Sequence, residues 1–132
     1  IGASMVVETV QGLMRNELRP TRQVEHYATH APKLNKENSE LDFGRSPQEL
    51  INQIHGLNPF PGAHYSGYKF LKALRCVEHF ETDIPQLSVR EKHLFLDYPN
   101  GSIEIIEIKP SGKRNMSGKD FVNGLNEMFL TL

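Results

Sequence analysis

The chain has 132 residues and a mass of 15.0 kDa, enough for one small domain with an appendage. Apolar residues make up 38% of it, no run approaches the ~18 apolar residues of a membrane span, and the single Cys76 excludes an internal disulfide and a Cys-based zinc site. The formal net charge is −1, and neither half of the chain is basic, so a nucleic-acid partner would have to be held by a local positive patch.

Residues 3 to about 16 are predicted to form a helix. Apolar residues recur at helical spacing through residues 3–16, as Val6, Val10, Leu13 and Met14. The chain starts with neither an initiator Met nor a signal-peptide pattern, so we expect it to be part of a longer protein on which this stripe packs. A helix that binds a separate partner is the alternative.

Residues 20–45 are predicted to form an extended linker, because prolines and asparagines punctuate a polar stretch without a helical or strand period. Lys33 and Lys36 make its later part basic. Leu41 and Phe43 are expected to anchor the end of the linker to the domain that follows.

Two linker histidines, His26 and His30, have the spacing of metal ligands on a helix, with Glu25 beside them. No helix is predicted there and no third ligand is spaced nearby, so we interpret them as solvated side chains. We assign no metal ligand in the chain. Cys76 is expected to be a small buried hydrophobic residue within a strand.

Residues 46–62 predict a short capped helix that runs into a double-proline corner. Ser46 suits the N-cap, Pro47 the first helical position and Glu49 the acidic position of a capping box. Phe60, between the two prolines of the corner, is expected to be buried between the helix and the strands. The apolar residues after the cap share one helical face: Leu50, Ile51, Ile54 and Leu57.

Strands are predicted over residues 68–77, 93–98 and 102–109, with a possible short strand at 87–89. Asn100-Gly101 predicts a hairpin with a type I′ turn, in which both residues have positive φ. In the last strand, the isoleucines at 103 and 105 share one face but those at 106 and 108 share the other. This phase slip predicts a bulge of the kind that closes a small barrel.

After a polar loop over 109–118, Ser117 is predicted to cap a short helix with Asp120 at its third position. Phe121 and Val122 should face inward, and Gly124 should end the helix. The tail beyond it fits either a helix or a strand.

The densest positive patch of the sequence lies in and around this loop: Lys109, Lys113, Arg114 and Lys119. Glycines at 112 and 118 and the amides of the following helix favour an anion site there. An ordinary solvated loop is the alternative. His64, just past the corner, is the histidine best placed to border a cleft, but we assign no catalytic residue in the chain.

Several motifs together resemble the methionyl-tRNA formyltransferase family, in family order and over nearly the whole chain. The proline corner, residues 58–63, is shared with sugar N-formyltransferases and other formyltetrahydrofolate-using relatives, whereas the loop at 112–117 favours the tRNA enzymes. The other matching stretches are Gly2-Ala3 with Val7-Glu8-Thr9, Ala31-Pro32-Lys33-Leu34 with Lys36-Glu37, Leu41-Asp42-Phe43, Asp120-Phe121 and Asn123-Gly124.

The resemblance implies an α+β fold: an N-terminal helix and an extended linker, followed by a small OB-like β-barrel with short helices. It divides the chain into the last helix of a truncated catalytic domain (1–19), a linker (20–45) and the barrel domain (46–132). The catalytic motifs are not in this sequence, so the chain alone is expected to be inactive.

The implied function is that of a C-terminal tRNA-binding region. The parent enzyme would transfer a formyl group from its cosubstrate, 10-formyltetrahydrofolate, to initiator methionyl-tRNA in the cytoplasm, with no membrane partner and no cofactor held by this chain. The expected partners are that tRNA and the missing catalytic domain. We expect the nucleic-acid contacts to come from Lys33, Lys36, Lys109, Lys113, Arg114 and Lys119.

Two alternatives stay open. The domain could be the equivalent part of a sugar nucleotide N-formyltransferase, where it would serve dimer contacts. It could also be a stand-alone binding module of OB type.

Overall fold

The computed structural model describes residues 2–125 and 129–132, and the chain divides into two compact units, Ile1–Pro32 and Lys33–Leu132. The first unit contains helix α1 (Gly2–Met14) and then an extended segment with a short 3₁₀ turn, Glu25–Tyr27. The predicted helix is thus confirmed. Its apolar stripe is exposed, up to 79% at Met14, so what covers the stripe stays a prediction.

The second unit is a curled antiparallel sheet with two packed helices, α2 (Pro47–Leu57) and α3 (Gly118–Asn123). Its described strands pair in the order β1-β2-β5-β4-β3-β7, with β6 alongside β5. This confirms the predicted α+β class with a small barrel-like domain. No described helix is long and apolar enough to cross a membrane. The strands are β1 (Ala63–Tyr65), β2 (Tyr68–Arg75), β3 (Gln86–Arg90), β4 (His93–Tyr98), β5 (Gly101–Pro110), β6 (Met116–Ser117) and β7 (Phe129–Thr131).

Helix α2 begins where the capping signals predict. The amide and hydroxyl of Ser46 both donate to the Glu49 carboxylate, at 3.0 and 2.6 Å. These hydrogen bonds, from the hydroxyl first and then the amide, lower the pKa of Glu49 because they favour its charged form. The predicted apolar face is confirmed, since its four members are all buried: Leu50, Ile51, Ile54 and Leu57.

A bulge shared by β2 and β5 bends the sheet around α2. Two register shifts flank Lys72 and leave Leu71 on β2 and Ile106 on β5 without a paired residue. This confirms the irregularity predicted from the phase slip of β5. The amide of Ala73, just after the bulge, donates to Nε2 of His55 on α2 at 3.2 Å, which ties the helix to the bent strand.

The hairpin between β4 and β5 forms, but the predicted type I′ turn is wrong. Tyr98 pairs with Gly101, so the two central residues are Pro99 and Asn100. A type I′ turn needs positive φ at both central residues, whereas proline fixes φ at about −65°. Asn100 does not have positive φ either.

Type I′ geometry is found instead in the two shorter hairpins. Ser66 and Gly67 join β1 to β2 with φ of 47° and 82°. Glu91 and Lys92 join β3 to β4 with φ of 49° and 65°. Both turns twist in the sense that matches the flanking strands.

The expected burial of Phe60 is also wrong, because its side chain is 83% exposed. The corner has two cis X–Pro bonds, before Pro59 and Pro61. The amide of Gly62 donates to the carbonyl of Leu57 at 2.9 Å, which folds the corner back onto the end of α2. Gly62 is buried by this turn and Phe60 is left on its outer side.

The predicted cap of α3 is confirmed, since the amide of Asp120 donates to Ser117 Oγ at 3.0 Å and the helix ends at Gly124. Phe121 and Val122 pack against the core as expected. The tail, for which helix and strand both stayed open, contains β7 paired with β3. Residues 126–128 of this tail lie outside the described residues.

A buried polar cluster crosses β3 and β4. The guanidinium of Arg90 donates to both carboxylate oxygens of Asp97, at 3.2 and 3.0 Å, and Ser88 Oγ donates to the same carboxylate at 2.5 Å. Arg90 also lies over the ring of Phe95, 4.0 Å from its centroid. The buried carboxylate is therefore compensated by charge and by hydrogen bonds, as a buried ion requires.

Gly101 should not tolerate a side chain, because a Cβ atom there would clash with the ring of Pro47 at the start of α2. Gly101→Ala should therefore cost on the order of 1 to 3 kcal/mol, the usual range for overpacking. Gly56→Ala is the matched control: it lies in α2 with open space around it and should stabilise the protein by up to about 1 kcal/mol. Urea denaturation measures both. Equal midpoints for the two variants would contradict the close contact between β5 and α2.

Tyr98 is fully buried, and its hydroxyl has no hydrogen-bond partner among the described residues. Burial, with a smaller effect of the Glu49 charge, raises the pKa of Tyr98 from 10.0 to about 12. The neutral phenol is the form that the fold accommodates, so this stabilising effect is complete below pH 10.0 and is lost as pH rises toward about 12.

Tyr98→Phe should leave the free energy of unfolding at neutral pH unchanged or raise it by up to about 1 kcal/mol, because it removes an unpaired buried hydroxyl. The variant should also lose less stability than the wild type at alkaline pH. Denaturation midpoints across that range test both statements. A clearly lower midpoint of the variant at neutral pH would show that the hydroxyl is hydrogen-bonded.

Candidate nucleic-acid interface

A cleft of about 460 Å³ lies beside the proline corner, and we call it the Phe60 cleft. Two cations, two aromatic rings and one histidine contribute to its lining: Lys36, Lys69, Phe60, Tyr68 and His64. None of its described lining residues is Asp or Glu. Cations beside aromatic rings, without carboxylates, form an environment suited to nucleic acid.

The segment that carries Lys36 is a compact loop held by its own side chains. The amides of Asn35 and Asn38 each donate to the side-chain oxygen of the other residue, at 2.8 and 2.9 Å. The side-chain nitrogen of Asn38 also donates to the carbonyl of Lys33 at 2.9 Å. This part of the predicted linker therefore has a defined conformation, which fixes the backbone of Lys36.

The same segment is attached to the edge of β1. Leu41 N–H donates to the carbonyl of His64 at 2.9 Å, and Glu40 forms a parallel bridge with His64. Leu41 is buried and Phe43 packs edge-on against Tyr65, so the predicted anchors of the linker are confirmed.

The buried hydroxyl of Ser39 links this segment to His64. Ser39 Oγ donates to the carbonyl of Lys36 at 3.0 Å and lies 3.4 Å from His64 Nδ1. This contact holds the imidazole of His64 against the segment that carries Lys36.

Two lysines lie side by side on neighbouring strands, and one of them, Lys69, lines the cleft. Lys69 of β2 is the register partner of Lys109 of β5, and both are exposed. Lys69 Nζ donates to the carbonyl of Pro61 at 2.8 Å, and neither lysine forms a salt bridge with a described residue. Like charges directly opposite each other destabilise a sheet, so an anionic ligand would relieve this repulsion.

Of the predicted site residues, Lys36 lines the Phe60 cleft together with Lys69, and Lys109 is the register partner of Lys69. Lys33 lies at the start of the loop that carries Lys36. The other three predicted cations lie elsewhere. Lys113 is exposed in the turn after β5, while Arg114 and Lys72 line a separate cleft of about 780 Å³. That cleft also contains Glu107 and Asp120, whose carboxylates offset its positive charge.

The predicted anion site at the start of α3 gains no support from the geometry. Ser117 Oγ already takes the amide of Asp120 and donates to its carboxylate at 2.8 Å, so a negative group lies at this end of the helix. Lys119 is next to a smaller cleft that also contains Glu104. A phosphate contact from Lys113, Arg114 or Lys119 stays a prediction.

Sequence reasoning missed Lys69 and Tyr68, and it assigned Phe60 to the core. The available signal was the Ser66-Gly67 turn, which predicts a hairpin and places Tyr68 and Lys69 at the start of its second strand. Cys76 was also misplaced: it lies one residue beyond β2 and is half-buried. No group of three His, Cys, Asp or Glu residues in the described ranges is arranged to hold a metal ion.

Comparisons with known proteins show which family and which solved structures the chain resembles. The sequence profile of the family described as "Formyl transferase, C-terminal domain" matches residues 33–126. Solved structures of HypX from Aquifex aeolicus, one in complex with tetrahydrofolic acid, share the fold with TM-scores of 0.58 and 0.59 at 16% and 18% identity. They are matched over 90% of this chain and 23% and 22% of their own chains.

Curated relatives are methionyl-tRNA formyltransferases. The protein from Rhodopseudomonas palustris is 33% identical over 129 residues, covering 94% of this chain and 41% of its own. The Bacillus subtilis protein is 33% identical over 129 residues, covering 93% and 41%. The chain therefore spans about two fifths of the length of these relatives. The profile match over most of the chain, together with the shared fold, shows that the chain belongs to the formyl transferase C-terminal domain family.

Proposed function

We propose that this chain is the tRNA-binding C-terminal region of a methionyl-tRNA formyltransferase. The parent enzyme transfers a formyl group from 10-formyltetrahydrofolate to the amino group of methionine on the initiator tRNA. This region contributes affinity and orientation through contacts to the phosphate backbone, while the chemistry belongs to the catalytic domain.

The proposal rests on one observation: Lys36 and Lys69 line a cleft whose described lining has no carboxylate, and Lys109 is the register partner of Lys69 on the next strand. A chain with a net charge of −1 has no overall field to attract RNA, so a local patch of this kind has to supply the attraction. The names of the curated relatives support tRNA as the nucleic acid.

Lys69→Gln should weaken binding of initiator tRNA to the chain and reduce the salt dependence of that binding. Loss of one phosphate contact should lower the slope of log affinity against log salt by about 0.7 to 0.9. Arg75→Gln is the matched control, because Arg75 is an exposed cation at the other end of the same strand, next to Glu104. Its slope should equal that of the wild type. Fluorescence anisotropy with labelled tRNA measures these values.

Absence of salt-dependent tRNA binding by the wild-type chain, or equal effects of the two variants, would contradict the proposal. Such a result would favour the alternative of a sugar nucleotide N-formyltransferase domain. That alternative predicts that the chain self-associates through dimer contacts. The OB-type module without an enzymatic parent predicts RNA binding without preference for the initiator tRNA.

The loop after β5 gives a second prediction. If Lys113 and Arg114 contact phosphates, reversing both charges to Glu should flatten the salt slope by nearly two units, about 0.9 for each contact. Arg75→Glu with Lys92→Glu is the control, since both of these residues are exposed outside the two clefts that contain Lys69 and Arg114. If the salt slope of tRNA binding by the loop variant equals that of the control, the loop is a solvated turn without phosphate contacts.

A further inference from the structure

Among the described residues, the ring of Phe60 does not belong to the hydrophobic core. It lies between two prolines in a corner that the hydrogen bond from Gly62 to Leu57 closes. The backbone of the corner is therefore rigid, while the side chain is 83% exposed. A rigid, solvent-exposed aromatic ring loses little conformational freedom when a flat ligand stacks on it.

The charged side chains around Phe60 limit which class of ligand the cleft can bind. Lys36 and Lys69 line the same cleft, Lys109 lies beside Lys69, and the described lining has no carboxylate. An apolar protein segment would pack on the ring but would offer no negative group to these cations, of which Lys69 has only the neutral carbonyl of Pro61 as a described hydrogen-bond partner. A ligand that combines a flat ring with a negative group satisfies both, and a nucleotide is such a ligand.

The cleft also fits one nucleotide better than a double helix. Its volume of about 460 Å³ is within the range of sites for small ligands, about 300 to 1,000 Å³. Bases in an RNA duplex are stacked on each other and expose only their edges. An aromatic side chain can therefore stack only on the face of an unpaired base. The imidazole of His64 lines the same cleft and is a further hydrogen-bonding group for a base or a ribose hydroxyl.

We propose that the Phe60 cleft binds one unpaired nucleotide of the RNA partner, with the base stacked on Phe60 and the phosphate held by Lys36 and Lys69. The inference rests on the proposed function, because it specifies which part of an RNA the same surface takes. It predicts that the domain distinguishes single-stranded from duplex RNA at this site, in addition to general phosphate contacts.

The test uses the 132-residue chain with a short single-stranded RNA that carries one 2-aminopurine, and with a duplex RNA of the same sequence. Phe60→Ala should reduce affinity for the single strand by about tenfold, within the range reported for loss of one stacked base. It should also abolish the quenching of 2-aminopurine. Phe60→Trp should retain both properties. Affinity for the duplex should be the same in all these proteins.

Phe60→Leu is the control that separates stacking from simple apolar contact. Leucine keeps an apolar side chain but has no aromatic face, so stacking predicts that this variant behaves as Phe60→Ala does. Wild-type behaviour of Phe60→Leu would overturn the proposal in favour of an apolar docking surface. Because Phe60 is exposed, the denaturation midpoints of all three variants should equal that of the wild type, so altered binding cannot reflect unfolding.

The measurements distinguish failure of the nucleotide site from failure of the proposed tRNA binding. If Phe60→Ala binds the single strand as the wild type does while Lys69→Gln still weakens tRNA binding, the nucleotide site is wrong and the tRNA-binding function stands. If the wild-type chain binds neither tRNA nor the single strand, both proposals fail. Equal losses of single-strand and duplex affinity in Phe60→Ala would also overturn the nucleotide site.

Discussion

The burial of one face of α2 against the bent sheet is the interaction on which the rest of the domain depends. Leu50 and Ile54 are completely buried, and the bulge near Lys72 gives β2 and β5 the curvature to reach around them. The bond from Ala73 N–H to His55 satisfies an amide at the bulge. Since the proline corner follows directly from the end of α2, this packing also sets where the Phe60 cleft lies.

The charged side chains on the two sides of the domain differ in whether they have partners of opposite charge. Across β3 and β4, the buried Asp97 is paired with Arg90 and hydrogen-bonded by Ser88, so both of its carboxylate oxygens have partners. Beside the Phe60 cleft, Lys69 faces Lys109 of the next strand, and neither forms a salt bridge with a described residue. Such local violations of good packing and pairing are expected at functional sites. This contrast, more than the total charge, locates the proposed RNA contact.

Local signals predicted the local structure well. The cap at Ser46, the buried face of α2, the β4–β5 hairpin and the bulge in β5 each follow from spacing within a few residues. Features set by distant residues were not predictable in this way. Lys69 and Lys109 are 40 positions apart in the chain, and only the strand register makes them neighbours. The exposure of Phe60 depends on how the corner folds back on α2, and hydrophobicity alone points to burial.

Hydrogen exchange of the chain with and without initiator tRNA locates the proposed RNA contact without any substitution. We expect tRNA to slow exchange in residues 33–41, 60–70 and 107–111, the segments that form the Phe60 cleft and carry Lys109. Residues 75–95, on the side of the buried Asp97 cluster, should exchange as in the free protein. Protection confined to residues 75–95, or no protection in any segment at low salt, would contradict the account.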